Sequence, residues 1–326
     1  MRSSYFDFIK GLAIIGVIAI HTVLLNYNAY SLSGMWVIFL RNTIGCCVPI
    51  FVAASGYFLI NKCPSTFEDY KRFIKKRFST IYLPMLVWAI PWLLLSIVRN
   101  HSICGISYAF VMYFVGGLSI FYFITLMCQL YLLLPVIKNI KWGGVIALIS
   151  LSVGMSFFWK IGQWDVPMVV YCSFPTYIGY FALGACMRMT NTRIHIKLMI
   201  IITVITAILS VLETYYWVNI NFSNSGTLGH KPSVALYSVC IILLLFSSNV
   251  KEAYKGSIYT KYIEKCGINS FSMYLTHCLF IPLLGAVCQI PSWLFRWFIV
   301  LLLDMFFVHC IKYVIPIRWH KYLGIR

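Results

Sequence analysis

Residues 8–27 read FIKGLAIIGVIAIHTVLLNY. An α-helix needs roughly 20 apolar residues to cross a hydrocarbon core of about 30 Å, and this stretch supplies them. It carries one lysine near its start and one histidine deep inside. No small-residue cleavage site follows it, and further apolar runs do. It therefore reads as a retained membrane helix rather than a secretory leader. Backbone groups left open to lipid cost several kcal/mol each, so such runs must be helical.

Working outward, runs of the same kind recur at 36–61, 80–99, 119–138, 143–159, 168–188, 197–217, 232–249, 270–289 and 293–315. Residues 107–117 (SYAFVMYFVGG) form a shorter apolar piece, read as interfacial or re-entrant. Of 326 residues, 61% are hydrophobic and 10% charged, and mean hydropathy is +0.86. A soluble domain averages about 25% charged residues, and too few are present here to cover a water-facing surface. The expected fold class is all-α: a polytopic transmembrane helix bundle of about ten spans, in a single domain over 1–326.

The basic residues give an orientation. With ten spans, 21 of the 26 Lys and Arg fall on the side of the chain termini, leaving Arg41, Arg99, Lys160, Lys231 and Arg296 on the other. The positive-inside rule then places both termini in the cytoplasm. The net charge of +18 is explained by this topology and by contact with anionic membrane lipids, so no nucleic-acid partner is implied. The twelve cysteines form no CxxC pair and no Cys/His set with zinc spacing; no metal is expected, and they read as small packing residues. No glycine-rich phosphate loop is present.

Titratable residues inside a bilayer are costly, which makes them functional candidates. They are Lys10, His21, Arg41, Glu213, His277, Asp304 and His309. Lys10 and His21 stand eleven residues apart on one helix. Eleven helical steps end roughly 20° past three full turns and about 16 Å along the axis, so both lie on nearly one face. A cation at the inner surface and an imidazole deeper in suit a long ligand with an anionic head and a reactive tail, the shape of a coenzyme A thioester. Histidine is the usual general base near neutral pH, and a hydroxyl attacking a thioester needs one. Asp7 is placed to pair with Lys10. The plainer readings are a snorkelling lysine and a hydrogen-bonded packing histidine.

Other candidates are less constrained. Arg41, in the outer half of the second run, suits an oxyanion or acceptor contact, or a structural ion pair. Ser55 stands beside Gly56 and offers a hydroxyl or simply tight packing. Tyr57 and Tyr274 offer hydroxyls or aromatic packing. His277 suits substrate contact or a structural hydrogen bond. Asp304 would pair with Arg41 or His309, or stay neutral, and Glu213 would face water. Lys71-Arg72-Phe73-Ile74-Lys75-Lys76-Arg77 is the densest basic cluster and leads into the third run.

Several patches together resemble the acyltransferase-3 family of bacterial membrane acyltransferases. Residues 5–21, with Lys10 and His21, are similar to its N-terminal signature of Arg or Lys, ten residues, then His. Residues 48–59 (VPIFVAASGYFL) are similar to its "VPLFF…SGY" stretch. Lys75-Lys76-Arg77 with Pro84 resembles its basic approach to the third span, although Thr80 stands where a second Arg is common. Residues 121–123 with 131–135 (YLLLP), and 269–277 (NSFSMYLTH), resemble later family motifs. The resemblance implies O-acyl transfer from acyl-CoA, by expectation acetyl-CoA, to a hydroxyl of a surface polysaccharide such as O-antigen or its lipid-linked precursor. It implies the bacterial inner membrane. The Arg/Lys–His pair is the family's essential feature and carries over onto Lys10 and His21. Joined to the residue reading above, His21 and Arg41 would be catalytic, Lys10, Lys76 and Arg77 would hold the donor, and Ser55, Tyr57 and His277 would contact substrate. A transporter or flippase for an anionic or lipid-linked solute remains the alternative from another class, though no inverted repeat is visible. A receptor or scaffold would leave the Lys10–His21 stripe unexplained.

Overall fold

A computed structural model describes residues 3–23, 28–162, 167–220, 230–287 and 292–325; of 285–287 it describes the backbone alone. Every regular element among them is helical. Helix α1 is Ser4–Thr22. Helix α2 (Leu32–Thr43) runs through a 3₁₀ turn into α3 (Cys47–Leu59). Then come α4 (Phe67–Arg99), α5 (Ile103–Phe114), α6 (Tyr122–Leu132), α7 (Leu134–Ile137), α8 (Trp142–Gly162), α9 (Met168–Tyr171) and α10 (Phe174–Thr190). The chain continues through α11 (Ile196–Asn219), α12 (Pro232–Phe246), α13 (Ser248–Ala253), α14 (Ile258–Ile268), α15 (Ser270–Val287), α16 (Trp293–Val314) and α17 (Ile317–Leu323).

Local chemistry sets several boundaries. Thr66 caps α4 by accepting the Asp69 amide at 3.2 Å, and Glu68 and Asp69 complement the positive helix start. Ser257 and Thr260 form a reciprocal capping box on α14. The run at 119–138 breaks at Leu133, because Pro135 has no N–H to bond the Tyr131 carbonyl. The run at 168–188 begins as the single turn α9 and restarts at Phe174, with Pro175 in the first turn where a missing N–H costs nothing.

Among the described residues each of the ten apolar runs lies mostly on helix, but they are not ten long helices. Six described helices are long and apolar enough to cross a membrane, taking α2–α3 as one, and seven if α14 and α15 form one span bent by 77°. Helices α5, α6 and α12 are shorter. At 12 residues α5 is about 18 Å long, too short to cross.

Burial divides the helices into two layers. In their most apolar windows α1 is 67% buried and α2–α3 is 61% buried, whereas α11 is 11% and α4 and α16 are 17%. The first two are interior; the others leave apolar side chains outward, as lipid contact requires. Two glycine crossings bring the interior helices together. A Cβ on Gly11 would lie 1.9 Å from the Ile263 carbonyl oxygen, and one on Gly267 would lie 1.7 Å from that of Asp7, so α1 and α14 touch backbone to backbone. Gly56 and Gly184 do the same for α3 and α10, against Phe181 and Ala53. Close approach through small residues is the usual adhesive where lipid removes the hydrophobic drive.

Gly267→Val therefore drives a side chain into backbone that cannot step aside, costing about 2 kcal/mol or more. Gly154 has nothing within 4 Å, and Gly154→Ala gains up to about 1 kcal/mol of helix propensity. Thermal unfolding in detergent checks the pair: the first variant melts earlier and the second does not.

Candidate active site

Helix α1 carries the two residues singled out by spacing, and its rotation is fixed from both sides. Beyond the α14 crossing, the Trp293 and Trp297 indoles of α16 donate to the Ala19 and Ile15 carbonyls, each at 3.1 Å. The opposite stripe of α1 lines a cavity. Lys10, Val17 and His21 face it, with Ser55 of α3, Tyr122 and Met127 of α6, and Ser270 and Tyr274 of α15 among the other walls. Its volume is about 230 Å³. A second cavity of about 490 Å³ abuts it, sharing Lys10, Phe51, Ser55 and Tyr131, and is rimmed by Ser3, Lys62 and Arg77. Together they run along α1 from a cationic mouth to an imidazole.

At the mouth, the Lys10 ammonium donates to Asp7 Oδ1 at 2.7 Å. Asp7 is buried and Lys10 is about one-quarter exposed, so the carboxylate holds the lysine stem against the cavity wall. Arg77 rims the outer cavity and lies over the Phe73 ring at 5.2 Å. Lys76 is exposed and lines neither cavity. Neighbouring helix positions point about 100° apart, so one of the two must face away.

The deep end is histidine-rich. The His277 ring lies 5.5 Å from the His21 ring and is fully buried. Its Nδ1 meets the Met273 carbonyl at 3.0 Å. A carbonyl only accepts, so Nδ1 carries the proton and Nε2 of the neutral ring is a lone pair. That Nε2 has no hydrogen-bond partner among the described residues. Arg41, in the last turn of α2, lies within electrostatic range of His21 and Tyr122. Tyr274 lines the wall and donates its hydroxyl to the Ile120 carbonyl.

Other candidates sit elsewhere than expected. Ser55 faces both cavities, but its hydroxyl bonds back to the Phe51 carbonyl at 3.0 Å. Tyr57 lines neither cavity. It packs among Phe6, Phe58 and Phe246, and its hydroxyl accepts from Arg188 and Lys251, each at 3.4 Å. Ser55 and Tyr57 are two positions apart, which puts them on opposite sides of α3. Asp304 is fully buried, but it accepts from Thr276 rather than from Arg41 or His309. His309 is exposed and edge-on to Tyr313. Glu213 does not simply face water: it accepts from the Trp217 indole and from the Ser233 amide at 3.0 Å each, and from the Ser233 hydroxyl.

Sequence reasoning missed a polar cluster near Arg41. Lys231 is fully buried and donates to Asn42 Oδ1 at 2.7 Å, to the Ser210 carbonyl at 3.0 Å and to the Thr214 hydroxyl. Lys160 is also buried, 5.3 Å over the Trp217 ring. His230 Nε2 meets the Tyr177 hydroxyl at 2.9 Å. Lys160 and Lys231 stand at the ends of apolar runs, where lysines ordinarily mark topology, so nothing in the local pattern set them apart. Among the described residues no group of three or more metal-ligating side chains gathers.

The two cavities thus run from basic side chains to His21, behind which His277 is buried. In the family comparison, the acyltransferase-3 model, described as an acyltransferase domain, matches residues 3–311. The chain belongs to the acyltransferase-3 family and is a multi-pass membrane acyltransferase. Neither the comparison with curated proteins nor that with solved structures returns a match.

Lys231→Met would leave Asn42, Thr214 and the Ser210 carbonyl without their shared donor. Leaving buried acceptors unsatisfied costs about 1–3 kcal/mol. The expected result is a clear drop in thermal stability in detergent, with Lys255→Gln, exposed and outside the network, unchanged.

Proposed function

We propose that this acyltransferase moves an acetyl group from acetyl-CoA to a hydroxyl of a surface polysaccharide or its lipid-linked precursor, in the inner membrane of a bacterium. One observation carries the reading: the two abutting cavities follow a single stripe of α1 from Lys10 and Arg77 to His21. Coenzyme A has polyanionic phosphates at one end and a thioester at the end of a long flexible arm. Its phosphates rest near Lys10 and Arg77, with Lys76 adding charge at the surface. The arm passes Ser55 and Tyr131, and the thioester reaches His21. By the positive-inside rule the basic mouth opens to the cytoplasm and the chain termini lie on that side.

In the transfer, His21 removes the proton from the acceptor hydroxyl as its oxygen bonds to the thioester carbonyl carbon. Arg41 stabilises the oxyanion of the tetrahedral intermediate. When the carbon–sulfur bond breaks, the proton held by His21 passes to the leaving thiolate, giving free coenzyme A and the O-acetyl ester. His277, with an open Nε2 beside His21, accepts a hydrogen bond from a hydroxyl of the acceptor. Family membership favours this chemistry over the transporter reading.

The roles separate kinetically. With purified protein and labelled acetyl-CoA, His21→Ala lowers kcat by about 10²- to 10⁴-fold, the usual worth of a general base. Lys10→Ala and Arg77→Ala raise KM for acetyl-CoA and leave kcat nearly unchanged, as loss of uniform binding does. Lys76→Ala has the smallest effect of the three. Undiminished transfer by His21→Ala protein refutes the base assignment. A gain of one acetyl mass on the cell's surface glycan, dependent on the gene, identifies the acceptor.

A further inference from the structure

The α14–α15 elbow has two faces. Gly267, Ile268, Ser270 and Phe271 look into the cavity just described. Lys265, Asn269 and Met273 look the other way, into a groove of about 310 Å³ closed on its far side by α16 through Met305, His309 and Lys312. This groove is no part of the donor path. We propose that it binds the phosphate headgroup and upper acyl chain of an anionic phospholipid.

Charge argues for the headgroup. Lys265 stands on one wall, exposed and over the Tyr262 ring at 5.6 Å. Lys312 stands on the other and donates to Asn269 Oδ1, tying the elbow to α16. His309 is three residues before Lys312, hence on the same helix face, and is exposed. Among the described residues no acidic side chain lines the groove. The two nearest acids along these helices are engaged elsewhere: Glu264 accepts from Tyr254 and Thr260, and Asp304 is buried against Thr276.

The rest of the groove argues for a chain attached to that headgroup. Beyond the basic rim it is walled by Met273, Met305, Phe306 and Val308. Phe306 is 67% exposed on one of the least buried helices of the bundle, so this end opens toward lipid. Methionines are flexible and polarizable and adapt to an irregular hydrocarbon. A free phosphate would satisfy the rim and leave this wall bare, whereas a phospholipid covers both. The level is right as well: α14 crosses α1 at Asp7 and Gly11, beside Lys10, which places the basic rim near the cationic mouth. A lipid seated here braces the cavity wall from behind.

Native mass spectrometry of the purified chain from mixed micelles of phosphatidylglycerol and phosphatidylcholine tests this. The expected spectrum shows one retained phosphatidylglycerol and no matching phosphatidylcholine. The Lys265→Gln/His309→Gln double variant, altered only at exposed positions, retains about fivefold less or lower still, the effect of one basic side chain at an anionic surface. Met305→Trp, which fills the apolar half without changing charge, lowers retention too. Lys255→Gln, exposed and outside the groove, binds as the parent does. Equal retention of the two lipids, undiminished binding by the double variant, or displacement of the lipid by inorganic phosphate alone overturns the proposal.

Discussion

Backbone contact between α1 and α14 is the constraint on which the rest of the structure depends. At Gly11 and Gly267 the two helices approach so closely that neither tolerates a Cβ. That contact fixes which side of α1 is buried against protein. With the Trp293 and Trp297 indoles bonded to α1 carbonyls from α16, it turns one stripe of the helix toward the cavity. Lys10 and His21 lie on that stripe. In lipid, where apolar burial gives little drive for helix association, such close crossings and interhelical hydrogen bonds set the geometry.

The second constraint is the cost of polar groups in a low-dielectric interior. The protein meets it differently at its two ends. At the mouth, Lys10 keeps partial exposure and a carboxylate partner, so its charge is both solvated and paired. Around Arg41, Lys231 is withdrawn fully and satisfied by neutral acceptors from α2 and α11. Three strong hydrogen bonds to one ammonium tie those helices to the start of α12. The cluster is thus a structural clasp.

The elbow at Asn269 joins these themes. A 77° bend puts α14 across α1 while α15 enters the bundle with Tyr274 and His277. The same short segment forms a wall of the cavity, carries His277 and presents a basic rim outward. Its position explains how one broken helix reaches both the cavity mouth and its deep end.

Much of this was legible in the chain. Apolar run length and sparse charge fixed a helical membrane bundle, because lipid leaves the backbone no alternative. Helical periodicity put Lys10 and His21 on one face, since that depends only on α1 itself. Helix breaks within runs were less visible: Pro135 and Pro175 mark them, but a hydropathy window averages across a single proline. Whatever required two distant segments was decided by tertiary structure. His277 meets His21 because α15 packs on α1; Tyr57 turns from the cavity because α10 and α12 cover it; Lys231 is buried because Asn42 and Thr214 receive it. Spacing along a helix is local geometry that sequence determines alone. Which stripe faces a cavity, and which lysine is a clasp rather than an anchor, depends on partners tens to hundreds of residues away.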